Sequence, residues 1–225
     1  MIFLRNMKRI ESEIIARDLK KKYPNTIPNP NYGWKYPSLN ILDCVLSIER
    51  SYINFAHDRV KKFNENNPDC TSIENLIDMI QKYKYNYNEY GYGEFTNKEL
   101  NYNHAERGRM IFEVSQFLLN EISKNSTGNQ TVELMKWAKN SKPEDAYNLK
   151  IKGFGLWGFQ YLRMLMGAQT ATPDFLDKNY LSTILGRTVR NDIEVLNLLE
   201  KAVYIYDLPL KEMDNRKWEI QTNSY

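Results

Sequence analysis

The sequence predicts a mainly α-helical fold. Apolar residues recur at helical spacing through most of the chain, almost no segment alternates long enough to read as a strand, and proline, glycine and polar clusters fall between the apolar stripes. The 225 residues include 42% hydrophobic and 13% aromatic side chains, which supplies a full core and excludes wholesale disorder. That length suits one large domain or two small lobes.

The elements follow in order. Residues from about 4 to 22 form a basic amphipathic helix with Ile10, Ile14, Ile15 and Leu19 on one side, and the helix stops at Pro24. Asn25 to Pro37, which includes Trp34, is a connecting loop. Ser38 is a candidate N-cap for a long helix whose stripe runs through Leu42, Val45, Leu46, Ile53, Ala56, Val60 and Phe63. Ser72 caps another, with Leu76, Ile77 and Ile80 apolar. Between Lys82 and Asn103 the tyrosines at 83, 85, 87, 90 and 92 alternate with polar residues and meet Gly91 and Gly93, which predicts an extended or hairpin-like insertion. Such a segment suits base stacking or a surface loop packed on the helical body. Further helices are expected from Asn103 to about Ile122, Val132 to Lys139, Pro143 to Asn148, Leu156 to Met166, Phe175 to Leu185 and Asp192 to Tyr204.

Composition narrows the function classes. Lys and Arg number 31 against 28 Asp and Glu, a net charge of +3, so a polyanionic partner is permitted but its binding face must come from local segregation of charge. Two cysteines, Cys44 in an apolar helical pattern and Cys70 in a polar loop, cannot build a four-thiolate zinc site or an iron–sulfur cluster, and no cofactor is expected. His57 and His104 do not suggest a metal site. The opening Met-Ile-Phe-Leu is too short for a signal-peptide core, and no stretch approaches the roughly 18 apolar residues of a membrane span. A cytoplasmic monomer with no membrane partner is expected.

The most informative segment is Ile151-Lys-Gly-Phe-Gly155 ahead of a helical pattern. Gly153 and Gly155 bracket one apolar residue, Phe154, so the chain can turn tightly and leave amides unobstructed at a helix N-terminus. Such amides bind a phosphate, and the helix dipole adds to the attraction. Lys150 and Lys152 place positive charge beside the turn; Arg163 is a further candidate phosphate contact. The alternative is a glycine cap between two packed helices with an ordinary charged surface.

In its order of segments the chain resembles the helix-hairpin-helix DNA glycosylases, the superfamily of endonuclease III-like enzymes. Leu42-Asp-Cys-Val-Leu-Ser47 is similar to their Leu-Leu-Ser helix, and Asn103-His-Ala-Glu-Arg-Gly-Arg-Met-Ile111 to their Tyr-Asn-x-Lys-Ala-x-x-Ile helix. The Ile151–Gly155 hairpin, the Pro173-Asp174 loop and a closing helix follow, so the resemblance covers about residues 38 to 206. It implies a two-lobed helical domain over 38–206, with residues 1–37 packing on it as an N-terminal helix and loop and 207–225 as a C-terminal tail. The hairpin and Asp174 would line the mouth of a cleft.

The resemblance also implies a chemistry. A carboxylate beside the sugar stabilises the positive charge that develops as an N-glycosidic bond breaks, and the base must first be flipped out of the duplex. Asp174 is the candidate catalytic residue, and Lys150, Lys152, Gly153, Phe154, Gly155 and Trp157 are candidate DNA contacts. The partner would be double-stranded DNA containing a damaged or mismatched base. Bifunctional members carry a nucleophilic lysine two residues after the second hairpin glycine; here Trp157 stands there, which points to a monofunctional, water-using enzyme. Glu49 stands where some members insert a polar plug. The other reading of Asp174 is a helix N-cap, with Lys178 one turn on as its partner or as part of a solvated face. In that case the protein is a non-catalytic helix-hairpin-helix DNA-binding protein. Trp157, Tyr161 and Trp137 are core or base-stacking residues, and Trp218 is a candidate anchor for the C-terminus.

Overall fold

The fold was obtained as a computed structural model, which describes residues 2–29, 32–50, 52–123 and 128–214. Those residues are mainly helical, and none of them forms a strand. No helix among them is long and apolar enough to cross a membrane. The chain divides into two compact units, a central one over Asn31–Gly167 and a terminal one joining Met1–Pro30 to Ala168–Tyr225. The division at 167/168 falls inside the segment that the sequence grouped as 38–206, and the N-terminal helix belongs with the C-terminal third of the chain.

The terminal unit packs α1 (Ile2–Lys22), α9 (Phe175–Leu185) and α10 (Asp192–Tyr206) against one another. Ile15, Leu19, Leu181, Val195, Leu199 and Leu208 form its buried core. The starts of α9 and α10 have polar side-chain caps. Asp174 caps α9, Asn191 caps α10, and both side chains accept from the amide three residues on. Gly186 closes α9 in the left-handed conformation, φ 62°, that a residue without Cβ adopts at no steric cost.

The central unit is organised around α2 (Pro37–Ser47), which is buried at every position. Around it lie α3 (Asp58–Asn66), α4 (Ile73–Tyr87), α5 (Gly91–Leu100), α6 (Ala105–Ser123), α7 (Gln130–Asn140) and α8 (Leu156–Leu165). Phe63, Phe95 and Phe159 fill the space between them with essentially no solvent exposure. A helix buried all round must be apolar or have its polar groups paired; Leu39, Ile41, Leu42, Val45 and Leu46 supply the apolar faces of α2, and its buried Ser38, Asn40, Asp43 and Ser47 are hydrogen-bonded.

Four expectations are corrected here. The long helix from Ser38 to Phe63 is broken: α2 ends at Ser47, Glu49 turns in the left-handed region at φ 56°, and a π-helical turn over Tyr52–His57 leads into α3. The start also differs, with Pro37 as the first helical residue and the Ser38 hydroxyl donating to the Cys70 carbonyl at 2.5 Å instead of capping. Cys70, expected in a polar loop, is buried. The tyrosine-rich segment is helical, not extended. Tyr83 and Tyr87 stand one turn apart on α4 with their rings stacked at 6.1 Å, and Tyr85 points to solvent. Gly91 then opens α5 against the α4 backbone, where a Cβ would lie 2.5 Å from the Lys84 Cα. The start predicted from Ser72 is as expected, with a reciprocal capping box to Asn75.

Helices α5 and α6 approach closely because Gly108 has no side chain. A Cβ there would stand 2.4 Å from the Tyr92 carbonyl oxygen, and backbone cannot swing aside as a side chain can. Gly108→Ala should therefore lower the unfolding free energy by about 1–3 kcal/mol in urea titration despite alanine's better helix propensity, because overpacking outweighs it. An unchanged or raised midpoint would show that the α5–α6 approach is looser than this.

Candidate functional site: the hairpin and a buried carboxylate

The predicted hairpin is present. The Phe154 amide donates to the Ile151 carbonyl at 3.1 Å, closing a turn in which Gly153 takes φ 82°, and α8 begins directly after Gly155. Phe154 is buried, with its ring against Gly158. The two glycines do different work. Gly153 is required by its positive φ, which side-chain-bearing residues rarely adopt. Gly155 has φ −91° and ψ −166°, ordinary extended backbone, and a Cβ built on it meets nothing within 4 Å. Neither conformation nor packing demands glycine at 155; what its missing side chain leaves is open space in front of the first amides of α8. No side chain caps that helix.

An open concavity of about 700 Å³ lies there, lined by Ile48, Glu49, Ile151, Gly153 to Gly158 and the half-buried Trp157. Of the flanking lysines, Lys150 is exposed with no ion pair among the described residues. Lys152 meets Glu106 at 2.8 Å, and that hydrogen bond holds the Glu106 carboxyl below its usual range. Arg163 is not a phosphate contact. It is buried, its Nε donates to the Ala138 carbonyl and its Nη1 to Gln160 Oε1 at 2.6 Å. Trp137 is a core residue, edge-on to Phe159.

Asp174 belongs to the terminal unit and adopts the capping geometry. Its Oδ1 accepts from the Asp177 amide at 2.9 Å while its own amide donates to Asp177 Oδ2 at 3.0 Å. Lys178 pairs with Asp192 at 3.0 Å. A cavity of about 290 Å³ in the same unit is lined by Leu19, Tyr23, Leu176, Asp177 and Tyr180 among others, so the first turn of α9 reaches its wall. Trp218 lies outside the described residues.

Sequence reading missed the most unusual ionisable group, Asp43. It lies on α2 with no solvent exposure, accepts from Trp34 Nε1 at 2.6 Å through Oδ2, and accepts from Ser47 Oγ and the Tyr161 hydroxyl at 3.1 Å through Oδ1. Trp34 arrives on a loop strapped to α2 by Asn40, whose Oδ1 accepts from the Trp34 amide and whose Nδ2 donates to the Trp34 carbonyl. Gly33, at φ 84°, lets that loop lie on Asn40. His57 packs against Trp34 and Tyr52. Burial raises the Asp43 carboxyl to about 6, against the lowering effect of its hydrogen bonds. The available signal was one acid in an otherwise apolar helical run; its partners, one in a loop and one 118 residues away, were not. Asp43 positions Trp34 and Tyr161, both half-buried, and Tyr161 in turn packs on Trp157 at 5.2 Å between ring centroids.

Among the described residues no group of His, Cys, Asp and Glu could hold a metal ion. Comparison with protein-family models, curated proteins and solved structures finds no match.

The Asp43 carboxyl gives a signed pH dependence. A folded value near 6 against an ordinary 3.8 means the folded state holds this proton more tightly, so the contribution to stability is full below about pH 4 and is lost as pH rises to about 6. The loss is on the order of 3 kcal/mol. Asp43→Asn cannot ionise and keeps an acceptor for Trp34. Its stability relative to the parent should rise by that order between pH 4 and 7 in urea titration, and a difference independent of pH would contradict the assignment.

Proposed function

We propose that this chain binds duplex DNA through the Ile151–Gly155 hairpin and acts on it as a monofunctional DNA glycosylase. The observation that carries the DNA reading is Gly155, a glycine that the fold does not need, standing before uncapped helix amides with Lys150, which has no ion pair among the described residues, nearby. Open amides at a helix start take a phosphate without reading sequence. The ordered segments that resemble the glycosylase superfamily add the reaction. Water attacks the sugar carbon, the bond from that carbon to the base nitrogen breaks, and the products are a free base and an abasic site. In this reading Asp174 offsets the charge that develops on the sugar and takes the proton from water. Trp157 in place of a lysine supports hydrolysis without a covalent sugar adduct.

The capping box at Asp174 favours a second reading, a DNA-binding protein without catalysis, because the carboxylate already has a structural task. One substitution separates the two. Asparagine caps a helix as well as aspartate does, so Asp174→Asn should keep the fold and DNA affinity; in the enzyme it should lower base excision at least about a hundredfold. The assay is a panel of duplex oligonucleotides carrying uracil, 8-oxoguanine, alkylated purines or mismatches, followed by alkaline cleavage of abasic sites. Full excision by Asp174→Asn removes the catalytic role, and borohydride trapping of a protein–DNA adduct removes the monofunctional assignment. DNA binding with no lesion cut establishes the clamp-only reading.

Gly155→Val tests the clamp itself. Valine fits the extended backbone and its Cβ meets nothing within 4 Å, so melting should be unchanged while duplex affinity falls about tenfold or more with no change in base preference. Unchanged affinity in a variant that is folded would contradict a phosphate at this turn.

A further inference from the structure

The turn after α2 and the start of α3 carry an arginine pair, Arg50 and Arg59, that the hairpin reading does not use. Arg50 and Arg59 both lie over the Phe55 ring, their guanidinium carbons 5.6 and 3.9 Å from its centroid. Arg59 is fixed by donating to the Phe55 and Asn101 carbonyls at 3.1 and 3.4 Å. Arg50 is exposed, with one long contact of 3.5 Å from Nη2 to the Tyr102 hydroxyl. Among the described residues neither arginine pairs with a carboxylate, whereas Arg9, Arg109 and Arg187 each meet a glutamate at 3.2 Å or closer. A guanidinium whose face rests on an aromatic ring keeps its in-plane N–H groups for an acceptor fork such as a phosphate. Two uncompensated positive charges on one ring also form a local field that the overall charge of +3 does not disclose.

This cluster is continuous with the hairpin concavity. Ile48 and Glu49 line the concavity, and the turn closed by the Arg50 amide on the Ser47 carbonyl at 3.3 Å brings Arg50 next. On the other side, Phe55 meets Tyr102 edge-on at 4.8 Å, Tyr102 meets His104 at 5.2 Å, and His104 precedes the first turn of α6, where Glu106 and Arg109 reach Lys152 of the hairpin. Among the described residues the acids along this path are Glu49, Asp58, Glu106 and Glu113; Asp58 lies 3.6 Å from His57, Glu106 is held by Lys152 and Glu113 by Arg109.

We infer that the Arg50–Phe55–Arg59 cluster is a second DNA contact, with Arg50 binding a backbone phosphate and Arg59 setting the ring and the potential beneath it. The inference rests on the DNA reading of the hairpin and extends the bound surface beyond it. The test is fluorescence anisotropy of the full chain with a labelled, undamaged duplex over a series of salt concentrations. Arg50→Ala should weaken binding about tenfold at moderate salt and reduce the steepness of the log–log salt dependence by about one, as loss of one phosphate contact does. Arg50→Lys should keep the steepness and lose part of the affinity, and Arg50→Glu should bind more weakly than Arg50→Ala. Lys139→Ala removes the same charge from an exposed site on α7 and should change affinity by less than about twofold.

Equal effects of Arg50→Ala and Lys139→Ala would overturn the inference by reducing it to net charge. Unchanged affinity in Arg50→Ala alongside weakened binding in Gly155→Val would overturn it while leaving the hairpin clamp standing. A parent chain that binds no duplex at any salt would remove both.

Discussion

The central unit depends on how the C-terminal end of a buried helix is satisfied. The last carbonyls of α2 have no partners within the helix, and the helix is buried along its whole length, so water cannot serve them. Arg107 of α6 supplies the donors. Its Nη1 reaches the Val45 carbonyl at 3.3 Å and its Nη2 the Ile48 carbonyl at 2.9 Å, and the side chain is itself buried. A cation at a helix C-terminus is favoured by the dipole, and each buried carbonyl left unpaired would cost about 1–3 kcal/mol. This one side chain ties α6 to the end of α2, allows the chain to turn sharply at Glu49, and so sets Ile48 and Glu49 beside the hairpin and Arg50 beyond them.

A second buried ionisable group, in the middle of α2, holds other elements to the same scaffold. Asp43, one turn before Ser47, gathers the Trp34 loop and α8 onto α2 through three donors. Because α8 is the helix that follows the hairpin, the aspartate fixes the element whose first amides face the open concavity. Two opposite charges thus sit in one apolar helix neighbourhood without pairing with each other, each satisfied by neutral groups. Such arrangements cost stability relative to an apolar core but specify which helix lies where.

Much of this was legible, and the reasons divide cleanly by range. Local chemistry showed through: Ser72 reads as a cap, Gly153 as a turn, and Pro173-Asp174 as a helix start, because each depends on a few neighbouring residues. The tyrosine segment misled because residues at 83, 85 and 87 satisfy a period of two, while 83 and 87 also stand one helical turn apart; tertiary packing through Gly91 and Gly108 decided between them. The break after α2 was hidden because the residue in the left-handed turn is Glu49, neither glycine nor proline. The buried roles of Asp43, Arg107 and Arg163 were invisible because their partners are distant in sequence or are backbone carbonyls. The family resemblance named the hairpin and Asp174 but placed no weight on these three, which shape the scaffold.

The central claim is that the first amides of α8 and the turn before them face DNA. Hydrogen–deuterium exchange of the full chain, with and without an undamaged duplex, measures it most directly. The account predicts slowed exchange in the peptide spanning 151–159, centred on the amides after Gly155, with peptides of the α7 surface unchanged. Protection confined to other regions, with 151–159 exchanging as fast in the complex as in the free protein, would contradict it.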